Sequence, residues 1–328
     1  MNFRTDIQPL SSQPSISHSD RILMLGSCFT DNIGAKLDER LFTVLANPFG
    51  SLYNPASIAA TVSRIVDHTP FSQSDIQRGS DGLWFSYCTH TKLNSPDAGD
   101  LLQNLNSRLD AAHSFVKKAD VACITLGTAW AFSLNATGSV VANCQKQPAS
   151  LFTRHRMSVN ECTQAISRTV EQLRSVHPDI RIILTVSPIR HLADGAHGNQ
   201  LSKSTLLLAC EQAANATHGI TYFPAYEIMM DDLRDYRFYA SDMKHPSDTA
   251  INYIYELFAK SFFSNDTIEL SRQALSLTRR LNHHPLTSGS GAAEKFRSDT
   301  LHLITSLAQE HPELKHHELF HRLNSTDS

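Results

Sequence analysis

The segment 21–34 constrains the fold most strongly, because the pattern of a buried strand passes directly into the pattern of a helix. Residues 22–25 form a continuous apolar run, which is typical of a strand covered on both faces. From residue 29 to residue 37 large apolar side chains recur at every fourth position, as on the buried face of a helix. A Gly-Ser turn joins the two patterns. This arrangement predicts an α/β domain whose first strand feeds into a helix.

The same alternation continues along most of the chain. Strands are predicted at 21–26, 41–46, 120–126, 181–186 and 219–223, and helices at 29–40, 55–67, 97–116, 159–175, 200–217 and 247–263. Strands that alternate with helices favour a parallel sheet with helices on both faces. The segment 130–146 is predicted to be a β-hairpin that forms one wall of a pocket.

Two candidate nucleophiles lie at the first strand-to-helix turn. Ser27 follows Gly26 at the carboxyl end of a strand, where open α/β sheets bind ligands, and it faces the positive end of the next helix. A serine at this position can also simply cap the helix. Cys28 is the rival nucleophile, since a thiol at the start of a helix can have a lowered pKa.

A candidate general base lies far downstream, in the loop that contains Asp242 and His245. Pro246 and the apolar residues after it predict that a helix begins directly behind this loop. The spacing allows the carboxylate to bond one imidazole nitrogen, which leaves the other nitrogen to face a serine hydroxyl. An ordinary hydrogen bond within the loop is the alternative interpretation.

Six ordered blocks of the sequence resemble the GSCFA family, which belongs with the SGNH, or GDSL-like, hydrolases. The first block is Gly-Ser-Cys-Phe at 26–29, and the others lie at 47–57, 126–130, 143–148, 185–191 and 226–239. The last block leads into Asp242 and His245. The resemblance implies a three-layer α/β/α flavodoxin-like fold with a central parallel sheet.

The resemblance also implies roles for individual residues. Ser27 matches the nucleophile of these hydrolases, and Asp242 and His245 match their Asp-x-x-His pair. The oxyanion is implied to be held by a glycine amide and an asparagine side chain, from the blocks that follow the second and third sheet strands. Gly50 is the counterpart of the glycine.

The asparagine expected after the third strand is absent. The block reads Gly127-Thr128-Ala129, so that Ala129 stands where the family has asparagine. Losing one oxyanion donor can lower the rate by about 100- to 1000-fold, so we expect another group to take its place. The candidates are Asn143, Asn47 and the hydroxyl of Thr128.

The matching blocks also contain charged and polar residues that are candidates for binding the substrate. Arg190 and His191 follow the fourth predicted strand, where a cationic pair can bind an anionic or carboxylated substrate or can only pack against the next helix. Gln145 stands where the family pattern has a histidine, and Lys146 beside it brings a charge near the predicted site.

The predicted function is that of a serine esterase. His245 would deprotonate Ser27, which would attack a small-molecule acyl ester, an acylated carbohydrate being one candidate, and water would release the acyl group. An acyltransferase would use the same residues with a sugar hydroxyl in place of water. A binding protein that has lost turnover is the alternative from another class.

Composition excludes several partners. The chain of 328 residues has a formal net charge of −3, so it lacks the excess of basic residues that is typical of nucleic-acid-binding proteins. It has no apolar run of membrane-spanning length, and its first residues lack the apolar centre of a signal peptide. We expect a cytoplasmic protein without membrane contact; the oligomeric state is left open.

No cofactor or metal is expected. The six cysteines are scattered and form no Cys-x-x-Cys pair. The segment 317–321 matches the H-E-x-x-H zinc pattern, but no third ligand is evident near it. We expect a catalytic domain at 1–263 and a helical appendage at 264–328, because the latter has too few large apolar side chains for a core of its own.

Overall fold

The computed structural model of the chain describes residues 4–10, 15–282 and 291–317. A five-stranded parallel sheet lies at its centre. In spatial order the strands are β10 (Ile220–Phe223), β9 (Arg181–Val186), β5 (Val121–Leu126), β1 (Arg21–Gly26) and β2 (Thr43–Ala46). Every neighbouring pair in this sheet is parallel. The predicted parallel sheet is confirmed.

Helices cover both faces of this sheet. Their bounds are α1 (Cys28–Asp38), α2 (Pro55–Val66), α3 (Ala98–Val116), α4 (Val159–Val176), α5 (Gly195–Ala216), α6 (Ala225–Glu227), α7 (Asp248–Phe262), α8 (Asn265–Leu281) and α9 (Gly291–Glu310). Helices α2 to α5 share one buried apolar cluster with the sheet, and α1 and α7 share another. The three-layer α/β/α architecture is confirmed.

Strand β1 shows why a continuous apolar run is needed. Leu23 and Leu25 belong to the cluster under α2 to α5, whereas Ile22 and Met24 belong to the cluster under α1 and α7. Successive side chains of a strand point to opposite faces, so a strand between two helical layers is apolar at every position.

Two small antiparallel sheets interrupt the alternation. Strands β6 (Trp130–Leu134), β7 (Val140–Val141) and β8 (Phe152–Arg156) form one, and β3 (Gln77–Arg78) and β4 (Trp84–Phe85) form the other. The predicted hairpin is present as β6 and β7. The sequence analysis did not predict β8, β3 or β4.

Some element bounds differ from the prediction. The second strand starts at Thr43 and not at 41, because Leu41 has a φ of 63° and is buried against helix α8 and its neighbours. Helix α5 starts at Gly195, five residues before the predicted position 200.

The C-terminal helices α8 and α9 pack on each other and on Leu41 through their own apolar cluster. The division into 1–263 and 264–328 stays a prediction. Residues 283–290 of the expected appendage lie outside the described residues. Within the described ranges, every helix is too short or too polar to cross a lipid bilayer.

Candidate active site

A pocket of about 550 Å³ lies where several sheet strands end. Its walls include Cys28 after β1, Thr128 after β5 and Arg190 after β9, together with His245 from the loop before α7. Residues of β6 and β7 form a further wall, as predicted for the hairpin. Ligand sites of open α/β sheets lie at this edge, so the pocket is the candidate active site.

The structure brings Asp242 and His245 together in one tight loop. Oδ2 of Asp242 lies 2.5 Å from Nδ1 of His245, and the backbone N–H groups of Lys244 and His245 donate to Oδ1 at 2.9 and 3.0 Å. The His245 amide and imidazole, with the Lys244 amide, hold the pKa of Asp242 far below its usual range. The ionised carboxylate fixes a proton on Nδ1 and leaves Nε2 of His245 free to act as a base.

The group beside that free nitrogen is a thiol. Nε2 of His245 lies 3.7 Å from Sγ of Cys28, which is within hydrogen-bond reach for sulfur. Cys28 is partly exposed to the pocket as the first residue of α1. Burial raises the pKa of its thiol above the ordinary value, and the charge of Asp31 raises it further. The resting group is therefore a neutral thiol that needs a base.

Ser27 does not meet the imidazole. Its side chain is fully buried, its Oγ donates to Oγ of Ser187 at 3.0 Å, and it accepts from the backbone N–H of Phe29 at 3.3 Å. It caps α1 and does not contribute to the pocket wall. The expectation that Ser27 faces His245 is thus corrected. At this sharp turn the first residue after Gly26 points under the helix, and the second points into the pocket.

The Gly50 amide, which was expected to bind the oxyanion, is already engaged, and so are the amides of the block after the third strand. The N–H of Gly50 donates to the carbonyl of Asn47 at 2.8 Å, and the N–H groups of Gly127 and Thr128 both donate to the carbonyl of Tyr53 at 2.8 Å. Gly50 also lies outside the pocket wall. The Gly50 assignment is corrected, and Gly127 likewise has its N–H engaged, because an amide that closes a turn inside the protein cannot also face a substrate oxygen.

Of the three candidates to replace the missing asparagine, Asn143 fits best. Both ends of the Asn47 amide are used, on Gly26 N–H at 2.8 Å and on Asp31 at 2.7 Å. The Thr128 hydroxyl pairs with Ser202 at 3.0 Å. Asn143 contributes to the pocket wall and accepts from the N–H of Gln145 through Oδ1 at 2.8 Å. Its orientation leaves the NH₂ group without a partner among the described residues.

Gln145 has a structural role that the sequence did not reveal. Its side chain is buried, and Nε2 donates to the carbonyls of Ser86 and Thr89 at 2.8 and 2.7 Å, while Oε1 accepts from Asn94 at 3.1 Å. It therefore ties the 86–94 loop to the end of the hairpin. Lys146 is exposed and lies outside the pocket wall.

His191 lies in the pocket wall as an uncharged imidazole. Burial lowers the pKa of His191 to about 4, and the nearby charges of Lys203 and His245 act in the same direction. Its Nε2 atom is buried and has no hydrogen-bond partner in the part of the chain that the structure describes, and the same holds for Nε1 of Trp130. These two ring nitrogens can hydrogen-bond a bound molecule only if the pocket wall moves so as to expose them.

Lys203 was missed by the sequence analysis. Its side chain is fully buried, and Nζ donates to the carbonyls of Gly127 and Ser187 at 2.6 and 2.7 Å. It thus joins the ends of β5 and β9 behind the pocket. Burial lowers the pKa of this lysine to about 7. The sequence did contain a signal for the burial of this lysine, because helical spacing places Lys203 on the same face of α5 as Leu206, three residues later, which is buried.

The described residues contain no cluster of three side chains suited to hold a metal ion. The H-E-x-x-H match lies, from residue 318 onwards, outside the described residues.

The GSCFA family model matches residues 21–258. None of the curated proteins matches the chain significantly. A family 3 carbohydrate esterase from Clostridium thermocellum is 12% identical, with 77% of this chain and 97% of that chain covered and a TM-score of 0.36. A carbohydrate esterase of family 3 from Talaromyces cellulolyticus is 9% identical over 77% and 98%, with a TM-score of 0.38. An acetyl xylan esterase from Butyrivibrio proteoclasticus is 10% identical over 77% and 64%, with a TM-score of 0.38.

Proposed function

Because the chain belongs to the GSCFA family and its pocket joins a thiol to an imidazole and a carboxylate, we propose that it hydrolyses small-molecule acyl esters through a cysteine nucleophile. The contact between Sγ of Cys28 and Nε2 of His245 is the observation that carries this proposal. A nucleophile next to a base that a third group orients is the arrangement of covalent acyl transfer.

The first half of the reaction forms a thioester. Nε2 of His245 takes the thiol proton of Cys28 as sulfur attacks the acyl carbon, and the carbonyl oxygen becomes an oxyanion. When the intermediate collapses, the bond between the acyl carbon and the ester oxygen breaks, and His245 returns the proton to the leaving alcohol. Asp242 keeps the imidazole in the required tautomer and stabilises its charged form.

The second half releases the acid. His245 takes a proton from a water molecule that attacks the thioester, the bond between carbon and sulfur breaks, and the thiolate of Cys28 regains the proton. General-base help is needed in the first half, because the raised pKa of the Cys28 thiol leaves little thiolate at neutral pH.

The oxyanion has two donors in this proposal. The backbone N–H of Cys28 opens helix α1, where the first amides have no partner within the helix and the helix dipole is positive. The side-chain NH₂ of Asn143 is the second donor, oriented by the bond between its Oδ1 and Gln145.

Hydrolysis of 4-nitrophenyl acetate and butyrate tests the proposal, in the wild type and in Cys28→Ala, Ser27→Ala and His245→Ala variants. We expect turnover to disappear in the Cys28 and His245 variants and to persist in the Ser27 variant. Iodoacetamide labelling located by mass spectrometry should modify Cys28 faster in the wild type than in His245→Ala. Absence of turnover in the wild type would favour a binding protein, and loss of turnover with Ser27 alone would restore the serine mechanism.

A further inference from the structure

We infer that the pocket selects esters whose alcohol part carries an anionic group, a carboxylate or a phosphate; the inference rests on the proposed function and names its substrate class. Four charged side chains lie in the pocket wall: Arg154, Asp194, Arg190 and Lys244. Arg154 and Asp194 neutralise each other through two hydrogen bonds of 2.6 and 2.5 Å. The other two are both cations.

Among the described residues, neither remaining cation has a carboxylate to neutralise it. Within the described part of the chain, no carboxylate oxygen lies within 4.0 Å of the charged atoms of Arg190 or Lys244, and the neighbouring Asp242 is bound to His245. The charged side chains of the pocket wall therefore sum to a positive charge, in a chain whose formal net charge is −3. A cleft lined by charges of one sign focuses the electrostatic field and concentrates ligands of the opposite sign, so two uncompensated cations in one pocket wall favour an anionic ligand.

The position of Arg190 is held by groups that do not cancel its charge. The guanidinium lies 5.4 Å from the ring centre of Tyr239 and 5.9 Å from that of Tyr236. The backbone N–H of Arg190 donates to the carbonyl of Lys244 at 3.1 Å, which fixes the two loops against each other. The two cations are thus brought together from different parts of the sequence, and Arg190 keeps the planar group that binds carboxylate or phosphate in a bidentate way.

In the proposed reaction, the leaving alcohol and the two cations are on the same side of the pocket. Lys244 directly precedes His245, and His245 must give its proton to the oxygen of the leaving alcohol. The alcohol therefore departs beside the loop that carries Lys244 and contacts Arg190. The proposed oxyanion donors belong to other segments, the start of α1 and Asn143 after the hairpin. An anionic group on the alcohol reaches the two cations, whereas one on the acyl part is placed less favourably.

Three aryl acetates of similar size test the inference: 4-acetoxybenzoate, 4-acetoxyphenyl phosphate and the neutral 4-acetoxybenzamide. We expect the wild type to have a higher kcat/KM for the anionic esters than for the amide. Arg190→Gln and Lys244→Gln should each lower this preference by about 3- to 10-fold, as for partly screened charge-assisted hydrogen bonds. Lys146→Gln, which removes an exposed cation outside the pocket wall, is the matched control and should leave the preference unchanged.

The preference should also decrease as ionic strength rises, since Arg190 is half-buried and Lys244 is exposed to solvent. The carboxylate and phosphate arms show which anionic group is preferred. Equal kcat/KM values for the amide and both anionic esters, or a preference that survives in both cation variants, would overturn the inference.

A binding measurement separates this inference from the proposed function. Calorimetric titration of Cys28→Ala with the same three esters needs no turnover. Tighter binding of the anionic esters, which is lost when Arg190→Gln is added, supports the anionic site even if the wild type hydrolyses none of them. Equal binding of all three esters contradicts the site, even if the wild type hydrolyses them all.

Discussion

Ser27 and Cys28 are adjacent in sequence but occupy different environments. The hydroxyl of Ser27 is enclosed beneath the start of α1 and bonds Ser187, whereas the thiol of Cys28 faces the pocket and His245. The turn that separates them depends on Gly26, whose φ of 138° is open to glycine and strained for other residues. One residue thus stabilises the helix, and the next is available for chemistry.

Replacing each of the two side chains by alanine should therefore have different consequences. Ser27→Ala removes a helix cap and should lower the free energy of unfolding by about 0.5–2 kcal/mol, while kcat stays within a few-fold of the wild type. Cys28→Ala should remove turnover and leave stability nearly unchanged. Urea unfolding measures the stability of each variant, and initial rates with 4-nitrophenyl butyrate measure its turnover. Loss of turnover in Ser27→Ala, with turnover retained in Cys28→Ala, would contradict the site.

Asn143→Ala should slow the chemical step. Removing one oxyanion donor lowers kcat by about 100- to 1000-fold in acyl-transfer enzymes, with little change in KM when the ground state is not held by that donor. Thr128→Ala is the comparison variant, since its hydroxyl is bound to Ser202. An Asn143→Ala variant with unchanged kcat would show that another group holds the oxyanion.

Some of these residue roles can be derived from sequence and others cannot. The pairing of Asp242 with His245 follows from their spacing in one loop. The choice between Ser27 and Cys28 does not, because both lie at the same turn and the direction of each side chain depends on the backbone angles there. The amide of Gly50 is excluded by its bond to Asn47 and by its place outside the pocket wall, and no pattern of residue types reveals either fact.

At the scale of elements, Lys203 connects two strands of the sheet behind the pocket. Its ammonium group bonds a carbonyl after β5 and one after β9 without a carboxylate partner among its described contacts. Burial without a countercharge disfavours the charged form and lowers the pKa of Lys203 to about 7.

The stability contributed by Lys203 should increase with pH. The unfolded chain keeps this proton up to a pKa of about 10.4, so between pH 7 and 10 the unfolded state binds more protons than the folded state. The free energy of unfolding of the wild type should rise relative to Lys203→Met by up to about 1.4 kcal/mol per pH unit. Urea unfolding at pH 7, 8 and 9 measures the difference; a constant difference would show that the amine keeps its proton.

The turn between β1 and α1 has no room for a side chain at Gly26. A Cβ there would lie 2.0 Å from the carbonyl oxygen of Thr125 on β5. Gly26→Ala should therefore lower the free energy of unfolding by more than about 3 kcal/mol or prevent folding. Gly138→Ala is the control, because its φ is also positive but no atom lies within 4 Å of the added Cβ. Similar losses in both variants would mean that backbone angle alone sets the cost.

The elements themselves were predictable to different degrees. The central strands were predicted because burial on both faces makes them continuously apolar. Strand β8 was not, since Thr153, Arg154 and Arg156 are exposed and the strand pairs only along the edge of the hairpin.

At the scale of the whole molecule, the C-terminal helices pack on the end of helix α1 and do not line the pocket. Leu277, Leu307 and Leu314 share one apolar cluster with Leu41, which follows helix α1, and none of these residues contributes to the pocket wall. Helical periodicity predicts these helices, but it does not show that they pack on a residue beside the first strands, which is far away in the sequence.

Leu277→Ala should accordingly separate stability from activity. Removing this buried side chain should lower the free energy of unfolding by about 2–5 kcal/mol, while kcat/KM of the folded protein stays unchanged. Ser276→Ala, at an exposed neighbouring position, should change neither quantity. A fall in kcat/KM under conditions where Leu277→Ala is fully folded would show that the C-terminal helices act on the site.

Trapping the acyl-enzyme tests the central claim most directly. The wild type is mixed with 4-nitrophenyl acetate, quenched in acid within the first turnover, digested and mapped by mass spectrometry. We predict an acetyl group on Cys28 that neutral hydroxylamine removes, as a thioester requires, and no adduct in Cys28→Ala. An acetyl group on the hydroxyl of Ser27, present in Cys28→Ala and absent from Ser27→Ala, would contradict the cysteine mechanism.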